Sequence, residues 1–235
     1  MKIIFTGIKY LLLTLMILFT LGRPARADDY AFCDDLVKKM NESYARLDSY
    51  SVHFIKQERI NGELNTEDTD LLFAKPFRVK MSWRSGLKRV VVAIYQEGEN
   101  NNRIRVKTGL GFSYSTDPLG ASAMKNNHHP ITASGLGKVI ELITANYERA
   151  RKNNELKIVD YRDTQFQGQA TSRLEVLLPS EKNKGYYCRR MILFAGRDSH
   201  LPVNIQIFND NDELYENYTF LELKENVKID DRSFQ

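Results

Sequence analysis

The chain has 235 residues, 34 Lys and Arg against 30 Asp and Glu, a formal charge of +4 and only two cysteines. Four of the cations, Lys2, Lys9, Arg23 and Arg26, stand in the first 27 residues beside no acidic residue, so residues 28–235 carry thirty of each sign. That balance argues against a nucleic-acid partner, which clustered Lys and Arg bind, and two cysteines are too few for a cysteine-rich zinc site.

The first 27 residues read as an export signal. A positive start leads into an apolar run from Tyr10 to Leu21, and small residues follow, ending in Ala25-Arg-Ala27. That order defines a secretory signal. The apolar run is about 12 residues, and a spanning helix needs roughly 20. Cleavage after Ala27 would release a periplasmic mature chain, residues 28–235, of a length suited to one domain. No second long apolar run follows, and Cys33 lies too far past the cut to carry a lipid. Export permits a disulfide between Cys33 and Cys188. Two buried thiols are the alternative, because the sequence does not say whether the two Cα atoms lie within about 7 Å.

Residues 30–48 are predicted helical. Cys33, Leu36, Val37, Met40, Tyr44 and Leu47 recur at steps of three and four, and Asp28 and Asp29 suit the positive end of a helix. From Ser49 the period becomes two. A strand carrying Tyr50, Val52 and Phe54 runs toward a turn at Asn61-Gly62, a pair suited to positive φ. A strand over 67–74 follows. Then Phe77, Val79, Met81 and Trp83 alternate with Arg78, Lys80, Ser82 and Arg84, one face apolar and one polar. Pro76 precedes this strand, where its missing N–H is tolerated. Segments 88–96 and 102–107 continue the meander, so an antiparallel sheet is expected.

Residues 108–134 read as one long loop rich in Gly, Ser, Asn and Pro, and loops beyond about 12–15 residues are usually functional or disordered. A helix over 134–152 follows, with Ser134 as N-cap and a stripe of Leu136, Val139, Ile140, Ile143 and Tyr147. Gly135 and Gly137 weaken its first turn by roughly 1 kcal/mol each, which suits a movable flap as well as an ordinary surface helix. Strands are expected near 155–161, 170–178, 186–195, 201–208 and 214–223, with a turn at 209–212. There is no internal repeat and no linker composition.

Little in the sequence speaks for catalysis. The four histidines are His53, His128, His129 and His200. Adjacent residues point apart in extended chain, so His128 and His129 read as stabilising their loop rather than ligating a metal. Asp117 and Ser134 lie nearby, but no spacing marks a nucleophile and its base. Gly109-Leu-Gly111 is not followed by an amphipathic helix and is a poor phosphate signal. No cofactor and no metal are expected.

Two stretches, Leu47–Leu64 and the strand Lys75-Pro-Phe-Arg-Val-Lys-Met-Ser-Trp83, resemble the opening of the LolA superfamily of periplasmic lipoprotein carriers. Nearly the whole mature chain is similar to a bacterial domain family of unknown function within that superfamily. The similarity runs through Ser115–Ala121, Lys125–Gly135, Tyr186–Phe194, His200–Ile205 and Tyr218–Gln235. The resemblance implies an α+β fold, a single strongly curved antiparallel β-sheet, an unclosed half-barrel wrapped around helices, with an apolar cavity between the layers. It implies a cavity lined by Val52, Phe54, Phe77, Val79, Met81 and Trp83, and covered by Leu136, Val139, Ile140 and Ile143. In LolA an arginine before the strand-opening proline latches the helical lid. Here Lys75 stands in its place and lacks the planar five-donor fork. His128 and His129 would flank the cavity mouth or brace the helix.

The expected function is a monomeric, non-enzymatic binding protein for a lipid, fatty acyl chain or lipoprotein, with transport across the envelope as its purpose. The alternative is an envelope interaction or sensor protein of the same fold, with a filled core and an edge strand or the sheet's convex side as contact surface.

Overall fold

The computed structural model describes residues 23–84, 90–179, 184–230 and 232–235. The expected signal lies mostly outside the described residues. Its last part is described: β1 (Arg23–Pro24) pairs with Ile158 and Lys157, and helix α1 (Ala27–Ala45) begins at the expected cleavage point. Asp29 closes the first turn of α1 by accepting the backbone N–H of Arg26 at 2.7 Å, and it pairs with the Arg23 guanidinium. A carboxylate there satisfies an orphan N–H and complements the helix dipole.

Next come β2 (Ser49–Ile60), β3 (Glu63–Ala74), β4 (Arg78–Trp83), β5 (Val90–Gln96) and β6 (Ile104–Thr108). The turn at Asn61-Gly62 forms as read, with φ of 53° and 86°. The expected loop over 108–134 is a correction. Its start is a hairpin to β7 (Ser113–Thr116), pairing Lys107 with Ser113, and it also holds a helical turn, α2 (Ala121–Met124), and a 3-10 turn at Ile131–Ala133. Exposed side chains on β7 hid the strand, because an edge strand need not alternate.

Helix α3 (Leu136–Lys152) follows, then β8 (Lys157–Phe166), β9 (Gln169–Leu177), β10 (Arg190–Gly196), β11 (Pro202–Phe208) and β12 (Leu214–Glu225). Gly135, not Ser134, caps α3. Its φ of 95° and ψ of 173° lie in a region that is essentially glycine's alone.

Among the described residues, twelve strands form one antiparallel sheet in the order β1-β8-β9-β10-β11-β12-β2-β3-β4-β5-β6-β7. Two meanders, β2–β7 and β8–β12, are joined by the pairing of β12 with β2. Strands β1 and β7 end the sheet, which stays open. Since β7 and β8 stand near opposite ends, the chain between them must cross the sheet, and α3 makes that crossing. One apolar cluster contains side chains from α1, α3, β2 to β6 and β8 to β12. For two helices to bury themselves against so many strands, the sheet must curve around them. The expected fold class, α+β with an unclosed antiparallel sheet around helices, is what the chain forms.

The C-terminal tail covers part of the other face. Phe234 and Ile229 pack on Leu72, Ala74, Val92 and Ile94, while Lys80 donates to the carbonyl of Ser233 and Arg105 to that of Phe234. No disulfide joins Cys33 and Cys188: both are buried thiols, the second of the two readings the sequence allowed. Burial pushes the Cys33 thiol up to about 12, with Asp29 and Asp34 adding to the effect.

Candidate functional site

The predicted cavity residues converge on the space between sheet and helices. Val52, Phe54, Val79 and Met81 from the sheet, and Leu136, Val139, Ile140 and Ile143 from α3, are all buried in the same cluster. Phe77 and Trp83 are partly exposed at its margin. The space itself is filled: an apolar cavity of about 20 Å³ remains near Cys33, Leu36, Ile143 and Leu193, room for about one water molecule.

A larger opening lies at the N-terminal end of α3. A cleft of about 310 Å³ is lined by the aromatic Tyr44, Phe73, Phe77 and Tyr95 and by the polar Glu97, Thr132, Ser134, Lys138 and Glu141. Phe77 packs edge-on against Phe73 at 5.3 Å and Tyr95 at 5.9 Å. Of the ten predicted cavity residues only Phe77 reaches this cleft. Tyr44 and Tyr95 carry no sequence signal for it, because they come from a helix and a strand that meet only in the fold.

The two glycines at the start of α3 permit close packing. A Cβ on Gly135 would overlap the Tyr50 hydroxyl, and one on Gly137 would overlap Tyr44. The Tyr50 hydroxyl instead accepts the Leu136 N–H at 2.8 Å, satisfying a donor that the first helical turn leaves open. Lys75 binds elsewhere: its Nζ donates to the carbonyls of Tyr44 and Ala45 at 3.1 and 3.0 Å, capping the end of α1. A cation suits the negative end of a helix, and the ammonium also lies 4.9 Å from the centre of the Tyr44 ring.

The loop before α3 is fastened by a buried polar knot that the sequence reading half found. Glu58 on β2 and Glu216 on β12 stand directly opposite each other in register, 2 % and 0 % exposed. Like charges so placed repel, and burial costs each of them its hydration. The compensation comes from three directions. Tyr218 donates to Glu58 Oε1 at 2.7 Å and Tyr187 to Glu216 Oε1 at 2.6 Å. Lys56 Nζ lies 3.5 Å from Glu58 and 3.3 Å from Glu67. His128 gives its backbone N–H to Glu58 at 2.9 Å, its Nδ1 lies 2.8 Å from Glu216 Oε1, and its Nε2 lies 3.0 Å from the Arg59 carbonyl.

Both ring nitrogens of His128 thus face acceptors, which calls for a proton on each. Burial works against that charge, but the Glu216 carboxylate overcomes it and raises the imidazole above its ordinary value. Burial likewise opposes ionisation of Glu216, yet His128, His129 and Tyr187 hold it down to about 2. His129 Nε2 lies 2.6 Å from the Tyr187 hydroxyl and 3.2 Å from Glu216 Oε1. The adjacent histidines therefore converge on one oxygen, against the expectation that neighbours point apart. Nothing in the sequence paired Glu58 and Glu216 with them, because the register of β2 and β12 does so across almost the whole chain. The knot ties the loop before α3 to β2 and β12.

A different surface lies at the β7 edge. Leu110, Phe112 and Leu119 are 85 %, 69 % and 72 % exposed, and Tyr114 is exposed beside them.

Against known proteins, the family described as "Protein of unknown function (DUF1571)" matches residues 47–235. The chain belongs to this family. No curated protein matches it. Among solved structures it is similar to the Mycobacterium tuberculosis lipoprotein LppX, at 16 % identity and a TM-score of 0.48, covering 85 % of this chain and 99 % of that one. It is also similar to a LolA superfamily protein from Nitrosomonas europaea, at 8 % identity and a TM-score of 0.36, covering 86 % and 97 %. The Pseudomonas aeruginosa MucA/MucB complex matches at 15 % identity and a TM-score of 0.48, over 86 % of this chain and 60 % of that one. These are low-identity likenesses of fold. Among the described residues no helix is long and apolar enough to cross a membrane.

Proposed function

We propose that this DUF1571 protein is an exported, periplasmic, non-enzymatic binding protein that holds a long acyl chain, borne by a lipid or lipoprotein, between its sheet and α3. The observation that supports this reading is the aromatic-walled cleft at the start of α3, which adjoins the apolar interior through Phe73. The interior is filled, so a ligand must displace something. The displaceable element is α3, whose Leu136, Val139, Ile140 and Ile143 cover the sheet. Burying four such side chains is worth about 6–12 kcal/mol, at about 1.5–3 kcal/mol each. An acyl chain gains about 0.8 kcal/mol per buried CH₂, so about 8–15 methylenes replace what α3 gives up. That arithmetic selects long acyl chains over small metabolites. Val52, Phe54, Phe77, Val79, Met81 and Trp83 would form the wall opposite α3.

The test is to purify the mature protein, denature it and extract it for mass spectrometry, alongside titration with a fluorescent fatty acid. Co-purified acyl lipid and saturable binding are expected. A chain that yields no lipid and binds no fatty acid defeats the proposal. Met81→Arg should abolish uptake while leaving a folded protein if α3 opens. Loss of the fold instead would mark Met81 as core alone.

The exposed Leu110, Phe112, Tyr114 and Leu119 beside edge strand β7 favour a second reading, contact with an envelope protein. Unpaired edges and contiguous apolar patches are docking features. Replacing Leu110 and Phe112 by Ser should leave stability unchanged and, in this reading, weaken partner binding. Unchanged binding would remove it.

A further inference from the structure

We propose that Glu58, Glu216, His128 and His129 bind one divalent transition-metal cation, zinc first among them. Glu58, His128 and Glu216 each offer a ligand atom, and these atoms all lie within 4.8 Å of one another. His129 Nε2 adds a fourth, 3.2 Å from Glu216 Oε1. The second observation is Glu216 Oε2: it is buried, and among the described residues it has no hydrogen-bond partner. A carboxylate oxygen withdrawn from water and left unpaired is costly, and such groups in native proteins call for an explanation. A cation supplies one.

The donor set fits. Two imidazoles and two carboxylates are neutral overall around a 2+ ion and make the four-coordinate nitrogen and oxygen environment that zinc accepts. Bonds of about 2.0–2.2 Å put tetrahedral ligand atoms about 3.4 Å apart, so His128 Nδ1 and His129 Nε2, now 2.8 and 3.2 Å from Glu216 Oε1, would move slightly away from it, and Glu58, which with His128 and Glu216 keeps its ligand atom within 4.8 Å, would close in. His128 would give up its Nδ1 proton to ligate, while Nε2–H keeps the Arg59 carbonyl 3.0 Å away. Metal-bound histidines are oriented by such a bond from the other nitrogen. Tyr187 and Tyr218 hold the two carboxylates in the same supporting role. Lys56, now beside Glu58, would turn wholly to Glu67 as the metal takes over the charge. The bound ion would fasten β2, β12 and the loop before α3 at one point.

The test uses the whole mature protein freed of metal by a chelator. Zinc is titrated by calorimetry, by thermal unfolding and by nitrogen NMR of the imidazoles. One zinc per chain is expected, with a rise in Tm. The signals of His128 and His129 should move, while those of His53 and His200 stay. Glu216→Gln should weaken binding at least about tenfold. Should that variant fail to fold, His129→Ala, at a more exposed position, should weaken binding by a similar factor. The proposal is overturned if zinc in about a hundredfold excess gives neither heat nor a Tm shift. It is equally overturned if His53 or His200 respond while His128 and His129 do not.

Discussion

Gly137 gives the sharpest test of how α3 is seated. In an exposed helix, Gly→Ala stabilises by up to about 1 kcal/mol, because alanine loses less backbone entropy. At position 137 the new methyl would overlap the Tyr44 ring and hydroxyl, and overpacking of this kind costs about 1–3 kcal/mol. Gly137→Ala is therefore expected to be destabilising by up to about 2 kcal/mol. In a Tyr44→Ala background the obstruction is gone, and the same substitution should become stabilising by up to about 1 kcal/mol. Urea unfolding of the wild type, both single variants and the double variant closes the cycle. The coupling expected is about 1–3 kcal/mol, well above the few tenths at which distant sites add. If Gly137→Ala stabilises both backgrounds equally, Tyr44 does not press on α3 and the two helices do not pack closely at Gly137.

Gly135→Ala should cost about 1–3 kcal/mol by urea unfolding, since its backbone conformation is essentially glycine's alone and the Tyr50 hydroxyl occupies the Cβ position; an unchanged midpoint would refute that seating. Hydrogen bonding from Tyr147 at 2.6 Å, helped by Arg151, holds Asp34 below the ordinary carboxylate range against the opposing effect of burial. Its stabilising contribution is thus fully present above the unfolded value near 4 and is lost as pH falls through the lower folded value. Asp34→Asn should accordingly flatten the stability profile across that acid window, and a profile as steep as wild type would contradict it. Cys33 and Cys188 should resist a thiol reagent in the native protein and both react after unfolding, because both are buried and burial also pushes the Cys33 thiol up, away from the reactive thiolate; fast native labelling would refute this. Intact-mass measurement of the exported chain should place its first residue at Asp28, and a chain retaining Arg23 would refute cleavage after Ala27.

The sequence by itself determined the elements whose patterns are local. The apolar steps of three and four over α1 and α3 arise because a helix needs one buried stripe, and the alternation through Val79 and Met81 because a strand with one buried face has period two. Asn61-Gly62 fixed a turn through its own φ preferences. Tertiary structure decided what depends on register and on contacts between distant segments. Strand β7 pairs at an exposed edge, so its burial writes no pattern. Gly135 and Gly137 look like weak points in isolation and become seats for tyrosines from β2 and α1. His128 and His129 were visible as a pair, but their partners were not. Glu58 and Glu216 are ordinary carboxylates until the pairing of β12 with β2 buries them opposite each other. The charge balance of residues 28–235 was legible from composition, whereas the burial of two of those charges against two histidines required the closed pairing of the sheet's two halves.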